Sequence, residues 1–277
     1  MRLRRPISLI LLLTLALVAF IPLQTAHAQR ATPKPFEPLE ELHFEAEFSR
    51  ALLRKLDVAD LKFHASSTTT PDEQYTLTFK ADITSKGFFA RLFNIKFRER
   101  VESTVEPLTF TVKKTTILDE QGKRVRATES TFDRSQGKMI WTLRDPNNPA
   151  SEPRSKTAEF SGQLQDVLSA IYFIRTQPLA VGKSFDVFIG DGGHVYTIPV
   201  KVVERKRMKT VLGRVDAFRM TAELFGPERL IDHEKGEFSL WVTDDARRIP
   251  VRGRVKTDYG TFDIKLKRVI TSSPAVK

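Results

Sequence analysis

The 277-residue chain contains no cysteine. That excludes disulfides, thiolate zinc and iron–sulfur centres, a cysteine nucleophile, and the modified cysteine that anchors a lipoprotein. Tryptophan and tyrosine are also scarce, 2 and 4 residues against 20 phenylalanines. Sugar platforms favour Trp and Tyr, which join a flat ring to a polar group, so this balance leans toward an apolar core or an apolar ligand. Acidic residues are the minority charge, 34 against 45 Lys plus Arg, for a net charge of +11. The apolar run from Ile7 to Ile21 falls short of the roughly 20 residues that cross a bilayer as a helix. At 40% hydrophobic and 29% charged residues, the composition is globular rather than disordered.

What is present at the N-terminus is an export signal. Arg2, Arg4 and Arg5 precede the apolar run, and Ala26-His27-Ala28 ends it, which is the charged, apolar and small-residue order of a secretory signal peptide. Cleavage near Ala28 predicts an exported protein that is soluble once the signal is removed. Losing residues 1–28 removes three arginines and no acids, lowering the net charge from +11 to +8. Residues 29–40, with Pro33, Pro35 and Pro38, read as an extended tether. Residues 41–271 read as a single antiparallel β domain, and 272–277 as a disordered tail. A domain of that size is stable without disulfides. An exported protein has no expected nucleic-acid partner, so its positive charge points to anionic lipid headgroups, acidic polymers or simple solubility.

Strict alternation dominates the domain. Tyr75, Leu77, Phe79, Ala81 and Ile83 alternate with Thr76, Thr78, Lys80, Asp82 and Thr84, the period of a half-buried strand. About a dozen such stretches are separated by short polar turns such as Asp119-Glu120-Gln121-Gly122 and Asp258-Tyr259-Gly260, which indicates antiparallel hairpins. The expected fold is all-β: a curved half-barrel or barrel-like sheet of about a dozen strands wrapping one short buried helix, with a second short helical turn. The buried helix is the apolar segment that follows Asp166, a natural N-cap, and ends before Pro178. The second turn is Lys86 to Asn94, with Phe88, Phe89 and Phe93. Residues 145–159, with three prolines, read as a long exposed loop.

Motifs for chemistry fail on inspection. Gly182-Lys183-Ser184 lacks the first glycine of a phosphate-binding loop, His233-Glu234 lacks the second histidine of a zinc protease, and no G-x-S-x-G elbow occurs. No catalytic residue, metal site or cofactor is assigned, and an enzyme is not expected. Asp191-Gly192-Gly193-His194 reads as a glycine-rich hairpin turn, with a metal- or ligand-contacting loop as the alternative. Asp244, Asp245, Arg247 and Arg248 read as a local salt-bridged turn. Beyond it, Arg252, Arg254 and Lys256 share one strand face and Lys265 and Lys267 match them on the next strand. They form a candidate basic stripe for contact with an anionic surface.

Three motifs in order carry a resemblance. Asp166 to Arg175, with Ser169 and Tyr172, comes first; Asp191-Gly192-Gly193 with Tyr196 follows; Trp241 to Asp245 with Arg248 and Pro250 closes the series. Together they resemble the exported bacterial family called domain of unknown function 3108, from about Phe36 to Val269. The resemblance implies a periplasmic or envelope β protein without an assigned activity; family helices carry two adjacent tyrosines, and Phe173 replaces the second here. The functional expectation is a non-enzymatic envelope protein whose concave sheet binds a lipid or other apolar ligand, with Tyr172, Arg175, Phe88, Phe89 and Phe93 near its mouth. The alternative is a structural or interaction module with an envelope protein partner or an anionic membrane surface; a cell-wall or ester hydrolase is the third.

Overall fold

The computed structural model describes residues 39–69, 75–86 and 96–271. The signal segment, residues 29–38, the Phe88–Phe93 turn and the tail from 272 lie outside these. Eight strands come first: β1 (Glu40–Arg50), β2 (Leu53–Thr69), β3 (Tyr75–Ser85), β4 (Phe97–Glu106), β5 (Thr111–Gln121), β6 (Arg124–Asp133), β7 (Lys138–Arg144) and β8 (Arg154–Glu159). The short β9 (Leu164–Gln165) and helix α1 (Val167–Thr176) follow. The remainder is β10 (Ser184–Asp191), β11 (His194–Thr210), β12 (Gly213–Ala222), β13 (Gly236–Thr243), β14 (Pro250–Thr257) and β15 (Gly260–Ile270).

All fifteen strands of the described residues belong to one sheet, in the order β8 back to β1, then β15 back to β9. It is an up-and-down meander whose first and last long strands, β1 and β15, pair antiparallel in the middle. The sheet is not closed. Where a barrel would hydrogen-bond β8 to β10, the connecting chain turns inward instead. β9 adds to β10 as a short parallel pair, Leu164 opposite Phe188, and α1 then enters the space enclosed by the curl. A sheet this wide leaves more room than strand side chains fill, and the helix occupies it.

The strands follow from the alternation. Along β3, Leu77, Phe79 and Ala81 are buried while Tyr75 and Lys80 are exposed. One expectation needed revision: 154–159 forms edge strand β8 rather than continuing a loop. Its sequence, Arg-Ser-Lys-Thr-Ala-Glu, buries no side chain, and charge on an edge strand discourages pairing with another molecule.

Helix α1 begins in a capping box. Asp166 Oδ1 accepts from the Ser169 amide at 2.7 Å and Ser169 Oγ accepts from the Asp166 amide at 2.9 Å. The other carboxylate oxygen accepts from Thr115 Oγ1 on β5, fastening the helix start to the sheet. Tyr172 stacks on Phe79 with ring centroids 4.0 Å apart, and Phe173 packs near Phe110. The helix end is held by charge. Arg175 donates to both carboxylate oxygens of Glu40, at 2.6 and 2.9 Å, and to the Arg247 carbonyl at 2.9 Å. Both ionic side chains are buried, 0% and 2% exposed.

A buried pair that loses one partner leaves an uncompensated charge. Arg175→Met is therefore expected to lower unfolding stability by about 3–5 kcal/mol, and adding Glu40→Leu to recover most of that loss. Urea unfolding midpoints of the two variants measure this directly.

Candidate functional site

The residues expected at a ligand mouth are placed otherwise. Tyr172 and Arg175 are each 1% exposed, inside the packed layer between α1 and the sheet. Burial pushes the Tyr172 phenol well above its ordinary pKa. The reason is the helix's direction: its apolar faces pack on Phe79, Phe110, Leu164 and Val187, and its last turn reaches the start of β1 instead of solvent. Phe88, Phe89 and Phe93 lie outside the described residues. Among the described residues most phenylalanines serve the core: Phe44, Phe79, Phe110, Phe132, Phe173 and Phe218 are buried, and Phe48, Phe63, Phe97, Phe160, Phe185 and Phe238 pack against the buried clusters.

The Asp-Asp turn is more than a local hairpin. Asp245 Oδ1 accepts from Thr243 Oγ1 and from the amides of Arg247 and Arg248, while Arg248 Nη1 donates to the Gln177 carbonyl at the helix C-terminus, 2.8 Å away. Burial raises the Asp245 pKa, but these hydrogen bonds and the Arg247 charge outweigh it and leave the group below the usual carboxylate range. Asp244 pairs with Arg205 at 2.5 Å.

At the other end of the interior, acids face inward. Glu99 on β4 lies opposite Asp119 on β5. Burial, then the charges of Asp119 and Asp191, raise the Glu99 pKa. Burial also raises that of Asp191, aided by Asp166 and opposed by the Gly192 amide and His194. Asp119 is bonded by Arg124 at 3.1 Å.

The seam between β8 and the β10–β11 hairpin closes on side chains. A Cβ on Gly190 would lie 2.5 Å from Met139 Sδ and 2.9 Å from Phe132, and one on Gly193 would collide with the Lys156 stem. Lys156 Nζ lies 3.3 Å from His194 Nε2 across the seam. The other histidines sit elsewhere: His43 contacts Glu41, His64 lies on β2, and His233 is 3.4 Å from Asp258.

The basic stripe exists as a surface and is interleaved with acids. Arg252 faces Lys265 across the β14–β15 ladder. Asp263 takes Arg252 at 2.5 Å and Arg254 at 3.6 Å, Glu47 takes Lys265 at 2.7 Å, Glu45 takes Lys267 at 2.9 Å, and Glu237 takes Lys256 at 3.7 Å. Five cations thus meet four carboxylates, which removes most of the stripe's field. Arg252 and Arg254 also cover the buried Trp241 ring, at 5.2 and 5.9 Å.

A groove of about 660 Å³ lies on the charged face of β2–β7, which the sequence does not single out. Two rows of registered residues form it. One runs Lys62, Asp82, Arg100, Leu118, Ala127, Arg144; the other runs His64, Lys80, Glu102, Thr116, Glu129, Thr142. These residues alternate with the inward set, so the groove opens on the face away from α1.

A family profile described as "Protein of unknown function (DUF3108)" matches residues 43–267. The chain belongs to this family. No curated protein matches it. Among solved structures it is similar to a beta-barrel-like protein of the DUF1849 family from Brucella abortus. That match has 11% identity, covers 84% of this chain and 98% of that one, and has a TM-score of 0.54. The likeness is one of fold. A "putative lipoprotein" from Parabacteroides distasonis also aligns, at 8% identity over 85% of this chain and 98% of its own, with a TM-score of 0.31.

In this DUF3108 protein the three motifs have structural work to do. Asp166 and Ser169 cap α1, Asp191-Gly192-Gly193 turns the hairpin that meets β8, Tyr196 packs against the main core, and Trp241 to Pro250 holds the helix C-terminus. Gly192 and Gly193 both have positive φ, +58 and +80°, as a two-residue hairpin turn demands. Space, rather than φ, requires Gly190. Gly190→Ala should therefore cost about 1–3 kcal/mol through overpacking. Gly192→Asn, at an open position whose φ Asn tolerates, should stay within about 0.5 kcal/mol in the same thermal unfolding assay.

Proposed function

We propose that this DUF3108 protein is a non-enzymatic component of the bacterial envelope that acts through its surface, as an interaction module, rather than by carrying an acyl chain inside its sheet. One observation carries the reading: α1 packs against the sheet through the buried rings of Phe79, Phe110, Phe173 and Tyr172, and both helix ends are tied to the sheet. An acyl chain in that layer would have to displace a stacked aromatic pair and a buried ion pair. The export signal supports the envelope location. The basic stripe, largely neutralised by its own carboxylates, supports a protein partner more than an anionic bilayer.

Native mass spectrometry of the chain purified from its host is expected to show the polypeptide mass without stoichiometric lipid, and a fluorescent fatty acid should gain no signal on titration. Photocrosslinkers at exposed strand positions should give discrete protein adducts in cells. A one-to-one lipid adduct, with fatty-acid binding abolished by Phe79→Trp, would contradict the reading and restore an interior ligand.

A further inference from the structure

The groove on β2–β7 is charged unevenly once its internal pairs are assigned. Each carboxylate that lines it is already engaged: Glu41 by His43, Asp82 by Arg98, Glu102 by Lys80 at 3.0 Å and Glu129 by Lys114 at 2.7 Å. Hydrogen bonding from Arg98 holds Asp82 below the usual carboxylate range, so it stays ionised and satisfied at neutral pH. Arg100 is turned to Glu120 at 3.2 Å. Lys62 and Arg144 remain: both are exposed in the groove, and neither makes an ion pair among the described residues. They stand at opposite ends of one registered row, with His64 beside Lys62 on the same face of β2. Leu118 and Ala127 form an apolar floor between them, and Thr116 and Thr142 add hydroxyls in the neighbouring row.

Building on the reading that the protein acts through its surface, we infer that this groove binds an extended acidic segment of a polypeptide partner. Its carboxylates meet Lys62 and Arg144, and its small apolar side chains rest on Leu118 and Ala127. The dimensions agree. Five strand spacings separate β2 from β7, about 24 Å along the sheet, the length of roughly seven residues of extended chain. The lining carries no Phe, Tyr or Trp among the described residues, which argues against a sugar polymer, whose rings need such platforms. Cations at the two ends of a groove about 24 Å long suit a narrow extended strand better than a flat bilayer.

The test is fluorescence anisotropy of the full chain with labelled decaglutamate. Saturable binding that weakens between low salt and 0.15 M salt is expected. The double variant Lys62→Glu/Arg144→Glu should weaken it at least about tenfold. Lys201→Glu, an exposed cation on β11, should leave it unchanged, with circular dichroism confirming that each variant is folded. Three results would each overturn the assignment: no saturable binding, equal loss with Lys201→Glu, or tighter variant-sensitive binding of oligogalacturonate or phosphatidylglycerol vesicles. If crosslinked adducts persist from other faces while decaglutamate does not bind, the groove assignment falls and the surface reading stands.

Discussion

The fold depends on what fills a sheet too wide to fill itself. Among the described residues fifteen strands curl without closing, and a ten-residue helix packs inside them. The ion pair between Arg175 and Glu40 decides where that helix ends. Glu40 starts the strand at the middle of the sheet, so the pair ties the connection between the sheet's two edges to its centre. A buried pair of this kind adds little net stability over an apolar substitute, but either member alone is costly, so it favours one placement of the helix over others. The loop at Asp244 and Asp245 belongs to the same device, because the Arg247 carbonyl accepts from Arg175 and Arg248 donates to the Gln177 carbonyl at the helix C-terminus.

That arrangement gives the family-motif residues structural roles. Asp166, Gly193 and Arg248 hold a helix cap, a seam and a helix end. Trp241 is buried under arginines whose charge is taken up by Asp263. The interior acids Glu99 and Asp191, with pKa values raised first by burial, mark the more polar end of the enclosed space. What is left available on the described surface is the charge that the protein has not paired internally, and in the β2–β7 groove that charge is cationic.

Much of the fold was legible in the sequence because antiparallel strands with one wet face print their period directly, as Leu77, Phe79 and Ala81 do. The helix was legible from its cap and its unbroken apolar run. β8 was not, since Arg154 to Glu159 has the composition of a loop and is a strand only because β7 offers it a ladder. Nor was the role of Arg175. Its partner lies 135 residues away in a segment that reads as the end of a proline-rich tether, and no local pattern announces such a contact. The basic stripe was placed on the correct face, but its neutralisation needs the register of β1 against β15. The groove was invisible for the same reason: it exists only when six strands are aligned, each contributing two side chains.

The central claim is that α1 is a fixed part of the core and opens only when the whole sheet does. Native-state hydrogen exchange of the helix amides measures it most directly. The account predicts that the amides of Ala170, Phe173 and Ile174 exchange with the free energy of global unfolding and share its full dependence on denaturant. Exchange of those amides at much lower free energy, independent of denaturant while the central strands stay protected, would contradict it.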